Sequence, residues 1–273
     1  MKEFEDIGVA VVTGGGHGIG RAFCRRLARE GIKVVVADIE ADAAETVAGE
    51  IGGIARSLDV SDEPAMQTFI RDVEASIGPI DLFISNAGVG FGDADGEAAS
   101  QKGGANPCDD RWETSWQVNV MAHVYAAREL VPRMRERGGG FLINVASAAG
   151  LLSQIGDAAY SATKHAAVAF AESLAITHGD DGIRVSVVCP QAVATRMIGM
   201  PDDSGATTGG FGGNEADGIL PAEAVADAVV DGAREGRFLI LPHEAVKTYC
   251  ERRAADHDRW IGGMRRLRAS LAD

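Results

Sequence analysis

The chain has 273 residues, 46% of them hydrophobic, and sets 26 Lys and Arg against 40 Asp and Glu for a formal net charge of −14. That length is enough to bury roughly three quarters of the unfolded surface in one unit, so a single domain spanning 1–273 is expected. The acidic balance argues against nucleic acid or an anionic membrane as partner, because long-range repulsion slows such encounters.

Cys24, Cys108, Cys189 and Cys250 are widely spaced with no CxxC pair, which fits reduced thiols in a cytoplasmic protein rather than a zinc knuckle. The opening "MKEFEDIGVAVV" carries acid where a secretory signal needs base, and no apolar run reaches the length of a membrane span. The six histidines form no HExxH, so no metal is expected.

The first apolar run, "VAVVT" from Val9, leads into "TGGGHGIGRAFCRRLARE". Gly14, Gly18 and Gly20 at such a turn let the backbone approach a pyrophosphate, and the helix that follows offers free N–H groups at its start. The spacing is G-x-x-x-G-x-G, not the G-x-G-x-x-G fingerprint, so the strand and helix on either side carry the inference. His17 either adds weak positive charge there or is a loop histidine without a role. The second run, "KVVVADIE", ends in Asp38, 18 residues after Gly20. A carboxylate there accepts hydrogen bonds from a ribose hydroxyl and repels a 2′-phosphate, which favours NAD over NADP; the alternative is a cap or turn aspartate.

Further runs follow at "GIARSL", "IDLFIS", "GFLINVAS", "IRVSVVCP" and "RFLIL". Seven runs alternating with helical pattern predict an α/β fold, a Rossmann-like doubly wound seven-stranded parallel sheet with helices on both faces. Ligands in such sheets bind beyond the carboxyl ends of the strands. Two glycine-rich, acidic loops, 88–110 and 197–218, follow strands at that end and are read as walls of the substrate site, with surface insertion as the alternative.

The fifth run ends at Ser147, 13 residues before Tyr160 in "DAAYSATKHAAVAF". Tyr160 and Lys164 are one helical turn apart and share a face. An ammonium beside a phenol favours the phenolate and brings it toward neutral pH, so the pair reads as a tuned acid/base, and Ser147 as a hydrogen-bond donor to a substrate oxygen. Taken alone, a Tyr and Lys stacked on a helix surface would be unremarkable.

Together, TGxxxGIG at Thr13 to Gly20, Asp59–Val60, NAG at Asn86 to Gly88, Asn119, Ser147 and YxxxK at Tyr160 to Lys164 resemble the short-chain dehydrogenase/reductase family in its compact single-domain form. The resemblance covers roughly the first 195 residues in order. It implies a catalytic tetrad of Asn119, Ser147, Tyr160 and Lys164, with Asn119 holding a water in the proton relay and Lys164 also binding the nicotinamide ribose. It further implies that Ile19, Asp59 and Val60, Asn86, Ala87 and Gly88, and Pro190, Val193 and Thr195 bind the cofactor. One departure is Gln191, which stands where the family usually has glycine after the proline. The function implied is NAD-dependent interconversion of a secondary alcohol and its ketone. An NADPH-dependent ketone or ketoacyl reductase and a non-catalytic dinucleotide sensor are the alternatives.

Phe91, Trp112, Leu151, Leu152, Ile155, Met197, Met200 and Phe211 lie in or beside the segments expected to line the site, so a hydrophobic small-molecule alcohol or ketone is expected, with Trp112 as a core residue the alternative. The last stretch, 243–273, is read as a helical extension with Trp260, Met264 and Leu267 near one face. Its arginines, Arg252, Arg253, Arg259, Arg265, Arg266 and Arg268, read mainly as a solvated helix face, with an anion site as the second reading. The resemblance also implies a homodimer or homotetramer.

Overall fold

A computed structural model describes residues 3–91, 109–202, 205 and 217–271. Most of the two long loops, together with Cys108 and Phe211, lies outside the described residues. The strands are β1 (Val9–Thr13), β2 (Lys33–Asp38), β3 (Ile54–Ser57), β4 (Leu82–Ser85), β5 (Gly140–Val145), β6 (Ile183–Val188) and β7 (Leu239–Ile240). They form one seven-stranded sheet in the order β3-β2-β1-β4-β5-β6-β7, every pair parallel.

Every residue of β1, β4 and β5 is buried, as strands covered on both faces require. Side chains alternate between two cores, because successive residues of a strand point to opposite faces. On one face, Val12, Val36 and Ile143 pack against Phe23 and Leu27 of α1 (Gly18–Arg29) and Val225 and Val229 of α7 (Ala222–Arg234), beside α2 (Ala41–Ile51). On the other, Val11, Phe83 and Leu142 pack against Ile70 of α3 (Glu63–Ser76), Leu130 of α5 (Ala122–Glu136) and Ala171 of α6 (Ala158–His178). Each fully buried Leu, Ile or Phe contributes on the order of 1.5–3 kcal/mol.

Helix α4 (Asp109–Trp116) runs into α5 through one π turn, Gln117–Met121. Helix α6 starts at Asp157, whose carboxylate accepts the Tyr160 N–H at 2.8 Å. The carboxy-terminal extension is two helices, α8 (Ala245–Ala255) and α9 (His257–Ser270), separated at Asp256, which caps α9 through the Arg259 N–H. Val246 of α8 is fully buried with Ala148 and Leu152, and Arg253 Nη1 donates to the Leu151 carbonyl at 3.0 Å, so α8 is fastened over the segment that follows β5. The strand order reverses at β1, which pairs β2 on one side and β4 on the other; the crevice beyond these carboxyl ends is where such sheets bind ligands.

Candidate active site

A cavity of about 370 Å³ opens at that crevice. Its floor is the turn between β1 and α1, with Gly14, His17, Gly18 and Ile19 in its wall. Gly18 has φ +49°, and a Cβ there would lie 2.9 Å from Thr195 Cγ2. Gly20 does not line the cavity: it sits inside the first turn of α1, where a Cβ would meet the Gly14 carbonyl oxygen at 1.9 Å. Its role is the close approach of helix to strand.

The start of α1 holds a carboxylate that sequence reading did not find. Asp202 Oδ1 accepts the Gly18 N–H at 3.0 Å, and Oδ2 lies 3.1 Å from His17 Nδ1 and 3.2 Å from Arg196 Nε. The Asp202 side chain is only 11% exposed. His17 is thus at the expected position, with Glu40 and Arg196 on its other nitrogen.

Asp38 is buried at the end of β2 and lines the same cavity. Its Oδ2 accepts the Gly16 N–H at 2.9 Å and its Oδ1 the Glu40 N–H at 3.0 Å. The neighbouring Ile39 is 65% exposed and also faces this space, an apolar surface beside a carboxylate. Asp59 and Val60, then Asn86, Ala87 and Gly88, form the next walls. Asn86 is clamped to β1 by Nδ2 bonds to the Thr13 and Gly14 carbonyls, while Thr13 Oγ1 accepts the Asn86 and Ala87 N–H groups. Pro190, Val193 and Thr195 close the far side. A helix start that attracts an anion, a carboxylate beside a bare apolar side chain and this run of strand ends together fit a dinucleotide.

Ser147, Tyr160 and Gln191 line this cavity and also a second one of about 640 Å³. Burial pushes the Tyr160 phenol above its usual range, and its hydrogen bond with Ser147 pulls the other way. Burial brings the Lys164 ammonium down to about 8. Lys164 Nζ donates to the Val145 carbonyl at 3.0 Å and lies 5.5 Å from the centre of the Tyr160 ring. Beneath Lys164, His123 Nδ1 meets Asn144 Oδ1 at 3.1 Å, and burial drives His123 down to about 3, so the imidazole is neutral there.

Asn119 is fully buried in the π turn and lines neither cavity. Its Oδ1 accepts the Val89 N–H at 2.9 Å, and its Nδ2 donates to the Val89 carbonyl at 2.9 Å and to Thr163 Oγ1 at 3.2 Å. The amide binds the segment after β4 to α6. It lies close to Lys164: a Cβ on Gly88 would lie 3.2 Å from both Asn119 Oδ1 and Lys164 Nζ.

Phe91, Leu152, Ile155 and Met197 line the second cavity as expected, while Trp112, Leu151 and Met200 do not. Its outer wall was not expected from the sequence: Tyr249 and Arg252 of α8 and Trp260, Met264 and Leu267 of α9. Where the glycine is replaced, the Gln191 N–H donates to His243 Nδ1 at 3.1 Å, and His243 Nε2 donates to the Ala192 carbonyl at 3.1 Å. Gln191 Oε1 is buried without a partner at the junction of the two cavities.

Fold and site define a dinucleotide-binding α/β protein with Ser147 and Tyr160 where two cavities meet. The short chain dehydrogenase family model matches residues 8–203. The 1-deoxy-11-beta-hydroxypentalenate dehydrogenase of Streptomyces exfoliatus is 37% identical, over 85% of this chain and 82% of its own. The meso-2,3-butanediol dehydrogenase of Serratia marcescens is 33% identical, over 71% of this chain and 75% of its own. A short chain dehydrogenase/reductase from Burkholderia phymatum, solved with NAD, superposes with a TM-score of 0.79 at 29% identity, over 94% of this chain and 96% of that one. The chain belongs to the short-chain dehydrogenase/reductase family, nicotinamide-dinucleotide oxidoreductases of alcohols and ketones.

Proposed function

We propose that the protein interconverts a hydrophobic secondary alcohol and its ketone with NAD as its cofactor. The observation that carries the reading is that Ser147 and Tyr160 border both cavities, so a reacting hydroxyl in one would meet a nicotinamide in the other. Redox chemistry at carbon is supplied by the bound nicotinamide, since no side chain here can exchange a hydride. Tyr160 Oη takes the proton from the alcohol in oxidation and returns it in reduction. Ser147 hydrogen-bonds the same oxygen as its charge changes. Lys164, held by the Val145 carbonyl, places positive charge beside the phenol and favours its ionised form.

NAD is favoured over NADP because the Asp38 carboxylate borders the cavity and would repel a 2′-phosphate. The relatives named above, which act by their names on a butanediol and a hydroxypentalenate, support a hydroxyl-bearing substrate. The mainly aliphatic and aromatic lining of the second cavity supports an apolar body for it. The test is turnover of a panel of apolar secondary alcohols with NAD and with NADP. Turnover with NAD is expected; activity confined to NADP, or to sugars, overturns the reading.

A further inference from the structure

The larger cavity is lined by Ser147 and Tyr160 and, from the carboxy-terminal helices, by Tyr249, Arg252, Trp260 and Met264. Two charged side chains are found among its described lining residues, Asp157 and Arg252. Asp157 is buried and already accepts two backbone N–H groups, from Tyr160 at 2.8 Å and Phe91 at 3.1 Å. It is a structural cap at the start of α6.

Arg252 differs. Among the described residues its guanidinium has no carboxylate within ion-pair distance; the same holds for exposed Arg29, Arg259, Arg265 and Arg268, but of these arginines Arg252 is the one that lines the cavity. Both oxygens of Asp217 accept the Tyr249 hydroxyl at 3.0 Å, and Tyr249 lies one helical turn before Arg252. The ring of Tyr249 rests against Trp260, with centroids 6.3 Å apart. A planar donor fork with no ion pair therefore borders the cavity, on a helix held down by Arg253 and Val246.

We propose that Arg252 is a specificity-determining residue that receives a carboxylate on the substrate. The substrate class is then an elongated or polycyclic apolar hydroxy acid, with its secondary hydroxyl at Tyr160 and its carboxylate at Arg252. The proposal rests on the dehydrogenase reading for the hydroxyl end alone; the anion end is a binding property that is measured without turnover.

The experiment titrates the full-length protein, followed by tryptophan fluorescence, with two unreactive probes of one shape, 1-adamantanecarboxylate and 1-adamantanecarboxamide. The wild type is expected to bind the carboxylate at least ~10-fold more tightly, the size of one charge-assisted hydrogen bond. Arg252→Gln is expected to remove that preference while binding the carboxamide as before, and Arg252→Lys to keep part of it. Equal binding of the two probes by the wild type, binding of neither, or a preference that survives in Arg252→Gln overturns the proposal and leaves the oxidoreductase reading standing. Carboxylate-selective binding that depends on Arg252, in a protein that oxidises no secondary alcohol, upholds the anion site and removes the dehydrogenase reading.

Discussion

The carboxylate of Asp202 occupies the start of helix α1, accepting the Gly18 N–H at 3.0 Å where a cofactor pyrophosphate would need the same donor. A pyrophosphate taking the Gly18 N–H would displace this side chain, which also contacts His17 and Arg196. Asp202→Asn keeps the shape and weakens the competition. NADH affinity, read by fluorescence titration, is expected to rise by about 10-fold, the scale of one charge-assisted hydrogen bond. Weaker binding by the variant would show that Asp202 supports the cofactor instead.

Tyr160→Phe removes the proton carrier and leaves the cavity wall in place. Turnover is expected to fall by about 10²- to 10⁴-fold with NADH binding unchanged. Comparable loss of both would mark the tyrosine as a packing residue.

Lys164 is expected to cost stability for its function. Burial lowers its pKa to about 8 from 10.5, so between these values the unfolded chain binds the extra proton and stability rises with pH. Below about pH 8 both states are protonated and the cost of the buried ammonium is present in full. Lys164→Met is therefore expected to lose turnover yet melt a few degrees higher at pH 7, a gain that shrinks toward pH 10.5. Thermal melts at the two pH values check it.

Asn119→Ala is expected to unfold more easily as well as to slow turnover. It strips the partners from both the Val89 N–H and the Val89 carbonyl, at about 1–3 kcal/mol for each group left unsatisfied. A variant with wild-type denaturation midpoint but no activity would restore the relay role to the side chain.

Arg253→Ala releases α8 from the Leu151 carbonyl. KM for a bulky apolar alcohol should rise several-fold with NADH affinity unaffected, because α8 walls the substrate cavity and not the cofactor cavity. Steady-state kinetics beside an NADH titration separates the two.

Much of this was legible in the chain because parallel strands buried on both faces must read as continuous β-branched runs, and the residues ending those runs must border the crevice. Asp38, Ser147 and the Asn86–Gly88 segment were found that way. The shortfall at β7, two residues where "RFLIL" suggested five, reflects an edge strand with a single neighbour. Asp202 was not legible: it is 184 positions from Gly18, and only the path of the loop brings them together. Arg252 reads mainly as part of a solvated face because it is exposed, and Ser147, which lines the same cavity, is distant in sequence. The His123–Asn144 pair beneath Lys164 had no sequence signal, each residue being isolated in an apolar run.

The most direct test of the central claim is isotopic. An apolar secondary alcohol deuterated at its carbinol carbon is incubated with the protein and NAD, and the cofactor is analysed by mass spectrometry. Hydride transfer from the carbinol carbon, with Tyr160 carrying the proton, predicts one deuterium on the reduced cofactor with the wild type and almost none with Tyr160→Phe. Reduced cofactor free of deuterium, or equal labelling by the two proteins, would contradict it.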